Sequence, residues 1–245
     1  MSSSSKSSSD SKSQNSKNTE SQSSLDRSWI AEVSHELRLP IANIKLLVET
    51  LLDGALEDKE TLIRMLKRTS KEVDRLEGLV KDVLSIEHVT HNQQEDLKRE
   101  QVYLIDSSVY AMETTADLAS KKSIKIRCDV DEEYKIYANK EQLNQVVLNL
   151  VENAIKYTPE GGNVRINSGT EPGTLMVSDD GIGIDKKEIP KIFKRFYRVD
   201  RTKLRGSTGL GLSIVKHIVD LHGAKITVQS EKKSGSTFII QFPGG

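Results

Sequence analysis

Four short stretches carry residues whose types and spacing suit chemistry. In "VSHELRLP", Val33 to Pro40, a histidine and a glutamate stand side by side ahead of a proline. A neutral imidazole is a nucleophile near pH 7, and an adjacent carboxylate can fix its tautomer; a surface histidine with no function is the plain alternative. In "NLVENAIKYTPEGG", Asn149 and Asn153 lie four apart on one helix face, with Lys156 and Tyr157 one turn on. Two amide oxygens there suit a hard cation such as Mg2+, with a phosphate chain bridging the metal and Lys156. A solvated helix face is the plain alternative. In "VSDDGIGI" a strand runs out into Asp179, and Gly181 and Gly183 follow. Such a carboxylate suits an exocyclic amino group, which adenine offers where guanine presents a carbonyl. An acidic hairpin end with turn glycines is the plainer account, and the pattern is neither a dinucleotide fingerprint nor a phosphate loop of the Gly-Lys-Ser/Thr kind.

The fourth stretch, "RGSTGLGLSIVK", leads Gly206, Gly209 and Gly211 directly into a helix. Free N–H groups and the positive dipole end then point at one place, an anion site suited to a polyphosphate; an ordinary glycine-rich cap is the alternative. Just before it, "FKRFYRVDRTKLRG" sets Phe193 and Phe196 among many cations. That segment reads either as a surface loop anchored by aromatics or as a lid over a nucleotide, with Arg198 reaching the terminal phosphate.

The elements that must position these residues divide the chain into zones. Residues 1–24 are almost all Ser, Lys, Asn, Gln and Asp and bury too little apolar surface to order, so they read as a disordered tail. Residues 25–92 are helical. Ile30, Val33, Leu37, Ile41, Ile44, Leu47 and Leu51 form one stripe, "DGALED" interrupts it, and Leu62, Met65, Leu66, Thr69, Val73, Leu76, Leu79 (or Val80) and Val83 form a second. A two-helix hairpin has only one seam, so pairing two of them into a four-helix bundle is expected, with a homodimer as the result. The alternative is a hairpin packed on its own C-terminal domain. Residues 93–100 read as a polar linker, and 101–245 as an α+β domain. "SIKIRCDV", "KIYA", "GNVRINS", "GTLMVSDD", "AKITVQS" and "STFIIQFP" are its strands, with a hairpin turn at Pro172-Gly173. An antiparallel sheet with helices stacked on one face, a two-layer sandwich, fits that order.

Composition narrows the classes further. Lysine plus arginine balance aspartate plus glutamate at 36 each, so no overall field favours nucleic acid or a membrane surface. The single cysteine, Cys128, excludes a disulfide framework and a cysteine-based metal site. No apolar run reaches the roughly 18 residues that span a bilayer, and no signal peptide is evident. A membrane connection is expected only through a sensor region absent from this chain, and the location expected is cytoplasmic.

Taken together, the asparagine helix, the D-x-G-x-G loop, the aromatic segment and the G-x-G loop resemble the ATP-binding domain of sensor histidine kinases, within the superfamily that includes gyrase, Hsp90 and MutL. "SHELRLP" resembles the same family's phospho-acceptor box, usually S-H-E-[LF]-[RK]-[TS]-P. The resemblance implies a dimeric helical bundle followed by a Bergerat-type ATP-binding fold, with ATP and Mg2+ as cofactors. It implies that His35 accepts the phosphoryl group, Glu36 is its base and Asn153 a Mg2+ ligand, with Asn149, Lys156 and Tyr157 lining the phosphate and sugar side. By the same resemblance Asp179 contacts the adenine amine beside Gly181 and Gly183. Arg198 and the amides of Thr208, Gly209, Leu210, Gly211 and Leu212 hold the phosphates. Ser207 stands where the family more often has glycine.

The expected activity is ATP-dependent phosphorylation of His35 and transfer to a response-regulator aspartate. Leu39 departs from the pattern: the family usually carries Thr, Ser or Asn there, a polar group that orients water for dephosphorylating the regulator. Weak phosphatase activity is therefore expected. The rival reading is a catalytically inactive ATP-binding scaffold, and an ATP-driven clamp would not need the phospho-acceptor helix. Pro40 removes the donor to the Glu36 carbonyl and gives the helix a place to bend. His88, His91, His217 and His222 read as solvated or helix-terminal.

Overall fold

The computed structural model describes residues 30–55, 58–91, 98–199 and 208–244. The serine-rich tail, most of the polar linker and the Arg205–Ser207 end of the glycine loop lie outside those residues, as do the side chains of His88 and His91. The chain divides into two compact units, Met1–Val83 and Leu84–Gly245.

In the first unit, residues 30–50 form helix α1, which continues through Pro40. Val33, Leu37, Pro40, Ile44, Leu47 and Leu51 recur every three or four residues and are buried or half-buried. That 3.5-residue repeat is the narrow seam of a coiled coil. It corrects the expected stripe at two points: Ile30 is 58 % exposed, and Pro40 takes the seam position while Ile41 is 52 % exposed. A π-helical turn, Leu51–Ala55, ends α1. Helix α2, Lys59–His91, starts at Asp58, whose Oδ1 accepts the Glu60 N–H at 3.1 Å. Its seam runs through Leu62, Met65, Thr69, Glu72, Leu76, Leu79 and Val83, while Leu66 and Val73, expected in it, are exposed.

The second unit, which takes in the end of α2 from Leu84, continues with β1, Glu100–Tyr103, and the helices α3, Leu104–Thr114, and α4, Ala116–Lys121, which break at Thr115. Strands β2, Lys125–Asp129, and β3, Lys135–Ala138, precede α5, Lys140–Tyr157. The hairpin β4, Asn163–Ser168, and β5, Thr174–Asp179, turns at Pro172-Gly173, where Gly173 supplies φ of +72°. Helix α6, Gly211–Leu221, and strands β6, Lys225–Ser230, and β7, Ser236–Gln241, complete the unit.

The main sheet has the order β2-β4-β5-β7-β6, and β1 pairs with β3 apart from it. Every neighbouring pair is antiparallel except β2 with β4, so the sheet is mixed rather than antiparallel throughout. The reason is that β3 leaves the sheet for β1, and the chain returns through α5, a crossover that lets β4 run parallel to β2. Alternate residues then make rows across the sheet. Ile166, Val177, Phe238 and Val228 are successive register partners, and Ser168, Leu175, Ile240 and Ile226 form the next row. Leu143, Val147, Leu150, Val151 and Ile155 of α5, with Ile214, Val215 and Ile218 of α6, supply the buried helical layer. The result is a two-layer α+β sandwich.

Both ends of α5 are tied down. At its start, Asn139 Oδ1 accepts the Gln142 N–H at 3.0 Å. The Asn139 N–H donates to Nε2 of His222 at 3.1 Å, and the other ring nitrogen, Nδ1, lies 2.9 Å from the Ile218 carbonyl. Burial pushes the His222 imidazole below its ordinary range, which suits a neutral ring that donates at Nδ1 and accepts at Nε2. At the other end, Lys122 Nζ donates to the carbonyls of Ile155 (2.7 Å), Lys156 (3.0 Å) and Thr158. An ammonium on these carbonyls satisfies the acceptors a helix end leaves open and complements its dipole. Lys122→Met is expected to destabilise this unit by roughly 2 kcal/mol, the scale of hydrogen bonds to a charged group. A lower urea midpoint with an unchanged m-value is the corresponding measurement.

Candidate functional site

The strand period explains why one of two adjacent aspartates belongs to a site. Leu175 and Val177 face the helical layer, so Asp179, two residues further, faces it too, one row beyond Val177 at the end of β5. Its register partners are Val164 and Ser236. A carboxylate in a core-facing position loses water, and burial pushes the Asp179 carboxyl up to about 6. The backbone N–H groups of Gly181 and Ser236 pull the other way, and the Gly181 bond to Oδ1 is 2.9 Å. Asp180 points to the opposite face, where the backbone N–H and the Nδ2 of Asn163 each donate to it at 2.7 Å. Asp180 therefore fastens the start of β4.

The loop after Asp179 is pressed against the end of α5. A Cβ at Gly181 would stand 2.6 Å from Asp179 Oδ1, 2.7 Å from the Tyr157 carbonyl and 3.1 Å from Thr158 Oγ1. The Ile182 N–H donates to that same Tyr157 carbonyl at 3.2 Å. Gly183 has φ of +65°, and a Cβ there would lie 1.9 Å from the Glu231 carbonyl oxygen, so only glycine fits. These contacts hold the loop backbone beside the carboxylate.

Helix α6 begins against the asparagine face of α5. A Cβ on Gly211 would come 3.5 Å from Asn149 Oδ1 and 3.8 Å from Asn153 Nδ2. Asn149 is only 5 % exposed, and its Nδ2 has no hydrogen-bond partner among the described residues; the same holds for Thr158 Oγ1. Lys156 and Tyr157 are half-buried one turn on. Before α6, the Leu210 N–H donates to Thr208 Oγ1 at 3.3 Å, and the Leu210 side chain is fully buried. Gly209 would place a Cβ 2.8 Å from the backbone carbon of Phe196, which itself has φ of +56°. The aromatic segment and the glycine loop thus meet there. Arg198 follows Tyr197, whose hydroxyl bonds the Glu188 carboxylate.

Asn149, Asn153, Asp179, Gly181 and the first residues of α6 therefore lie on connected elements of one unit. Thr158 joins them although sequence reasoning singled it out nowhere; its only signal is its position directly after Tyr157. An unpartnered buried amide beside the start of α6 and an unpartnered buried hydroxyl beside Gly181 fit a ligand with phosphate oxygens and a polar base. Among the described residues no cluster of three or more His, Cys, Asp or Glu side chains could hold a metal ion. The side chains that α5 presents toward the start of α6 are the amides of Asn149 and Asn153, and amide oxygen is a donor type that hard cations such as Mg2+ accept.

The other sequence-selected pair lies on α1 in the first unit. His35 is exposed, while Glu36 is half-buried on the side toward α2. Leu39, one turn after His35, is 44 % exposed. No helix among the described residues is long and apolar enough to cross a membrane.

Residues 26–92 match the His Kinase A (phospho-acceptor) domain, and residues 138–245 match the histidine kinase-, DNA gyrase B- and HSP90-like ATPase family. The chain is 34% identical over 223 residues to the sensor histidine kinase WalK of Bacillus subtilis strain 168, aligning 89% of this chain with 36% of that protein. It therefore spans little more than a third of that relative's length. Among solved structures, histidine kinase ThkA in complex with response regulator protein TrrA matches with a TM-score of 0.71 at 28% identity, covering 96% of this chain and 66% of that one. Full-length ShkA in complex with AMPPNP matches with a TM-score of 0.61 at 28% identity, covering 87% and 45%.

Proposed function

Because the chain belongs to the sensor histidine kinase family, we propose that it transfers the γ-phosphoryl group of ATP to His35 and passes it to an aspartate of a response-regulator receiver domain. The observation that carries this reading is the inward-facing Asp179 on the same unit as the buried Asn149 amide and the start of α6. Asp179 accepts the adenine amino group, the glycine loop admits the base, and the amides of Thr208 to Leu212 receive phosphate oxygens. Asn149, Lys156 and Tyr157 line the phosphate and sugar, Arg198 neutralises the terminal phosphate, and Asn153 offers its oxygen to Mg2+. When bound, that ion neutralises charge on the phosphate oxygens.

In the transfer, a neutral imidazole nitrogen of His35 attacks the γ-phosphorus and ADP departs with the electrons of the broken P–O bond. Glu36 takes the proton from the other ring nitrogen. A receiver aspartate oxygen then attacks the same phosphorus, and the imidazole leaves as the proton returns from Glu36.

The exposed position of His35 leaves room for both partners. Around it on α1, Ala31, Leu39, Ala42 and Leu46 are exposed and form the small apolar face that the receiver domain covers. That ThkA is found with TrrA supports a partner of this class. A second apolar stripe lies beside the seam on each helix: Ile41, Val48 and Leu52 on α1, and Leu66, Val73, Val80 and Leu84 on α2. Burying both against a second copy completes a four-helix homodimer. Use of ATP supports a cytoplasmic location for the reaction.

Incubation with γ-labelled ATP and Mg2+ tests the reading. Acid-labile, alkali-stable label is expected on the wild type and none on His35→Gln. Bound ATP without any label on the wild type would overturn it in favour of an inactive scaffold.

A further inference from the structure

One charged cluster interrupts the apolar seam between α1 and α2, and it stands at the level of Glu36. Arg75 Nη2 lies 3.4 Å from Glu36 Oε2, and Nη1 of the same guanidinium lies 3.7 Å from Glu72 Oε2. The three side chains are only 17 to 21% exposed. Leu76 and Leu79 continue the seam directly beyond them. Ionised groups withdrawn from water in such a seam are weak stabilisers, and an apolar replacement of similar volume is often as good or better. Stability is thus a poor reason for this cluster.

Geometry supplies a better one. Successive side chains on an α-helix point about 100° apart, so α1 alone aims Glu36 away from the exposed imidazole of His35 and toward α2. A carboxylate that must serve the neighbouring ring then needs an anchor from outside its own helix. We infer that Arg75 is a positioning residue for phosphorylation of His35, holding the Glu36 carboxylate across the hairpin while Glu72 braces the guanidinium from the other side. Arginine suits this task because its planar fork can engage two carboxylates at once and it stays charged at any working pH. The inference rests on the reading of Glu36 as the base for His35.

The test is a double-mutant cycle on the whole chain, with initial rates of His35 phosphorylation measured against ATP concentration. Arg75→Met is expected to lower kcat about tenfold with KM for ATP unchanged, part of the 10²–10⁴ a general base contributes. Arg75→Lys recovers part of that loss, since it keeps the charge without the fork. In a Glu36→Gln background, Arg75→Met has no further effect, which a merely structural role would not produce. Circular dichroism melts of each variant separate misfolding from lost positioning. Arg75→Met at the wild-type rate while Glu36→Gln is slow overturns the role of Arg75 alone. Equal losses from Arg75→Met in both backgrounds overturn it as well, and Glu36→Gln at the wild-type rate removes the base reading on which it rests.

Discussion

Asp179→Asn is expected to raise the melting temperature of the Leu84–Gly245 unit while weakening ATP binding by about tenfold or more, the scale of a hydrogen bond to a charged group. Both effects follow from one placement. Asp179 occupies a core-facing position at the end of β5, and burial lifts its carboxyl to about 6. In the unfolded chain the same group titrates near 3.9. The folded state therefore favours the protonated form, and its stabilising contribution is full below about pH 4 and is lost as pH rises through about 6. At pH 8 the ionised group sits in a poorly solvated place, and the asparagine, uncharged at every pH, is relieved of that cost. The gain in melting temperature should thus open between about pH 4 and 6 and stay constant above.

Nucleotide binding asks for the opposite state. An ionised carboxylate accepts from the adenine amino group, whereas a protonated one loses that strength, so wild-type affinity should fall as pH drops through about 6. In Asp179→Asn this pH dependence should vanish, and discrimination against GTP should shrink because an amide N–H can donate to the guanine carbonyl. Paired thermal melts and nucleotide titrations from pH 5 to 8 give all three readouts. Wild-type affinity in the variant would remove Asp179 from the base contact whatever happened to the melt.

Much of this placement was legible before any coordinates. The alternation Leu175, Val177, Asp179 assigns the carboxylate to the core face and Asp180 to the other, because side chains alternate along a strand. The turn at Pro172-Gly173 announces itself by residue type. The four-residue spacing puts Asn149 and Asn153 on one face of α5, and the site then needed only the approach of Gly211. What was hidden depends on partners distant in sequence. Nothing local tells that β3 pairs with β1, so the parallel pairing of β2 with β4 could not be read. The choice of Pro40 over Ile41 for the seam turns on the order of the three- and four-residue steps, strictly alternating rather than paired, a difference that only packing against α2 decides. Lys122 and Arg75 look like ordinary surface cations in the chain, yet one closes α5 and the other crosses to Glu36.

Leu39→Thr is expected to speed the decay of a phosphorylated receiver partner about tenfold or more, a modest share of what a positioned proton-transfer group supplies, with phosphorylation of His35 little changed. Leu39 follows His35 by one turn on the same face of α1, so the two side chains flank the place where a receiver aspartate must come. Leucine there offers no donor or acceptor, and water beside the aspartyl phosphate has nothing on this side chain to orient it. A threonine hydroxyl both donates and accepts, which is what an attacking water requires. The substitution tests chemistry with little interference from folding. Leu39 is 44 % exposed, so its loss opens no cavity, and threonine in place of leucine in a helix costs only about 0.5 kcal/mol. The same exposure makes Leu39 part of the apolar face around His35, so threonine should also raise the KM for phosphotransfer to the receiver while leaving ATP binding alone. Following the receiver phosphate over time with wild-type and variant kinase, in ADP without ATP, isolates the decay. Equally rapid decay with both would mean that another group orients the water, and Leu39 would then be only a contact for the receiver.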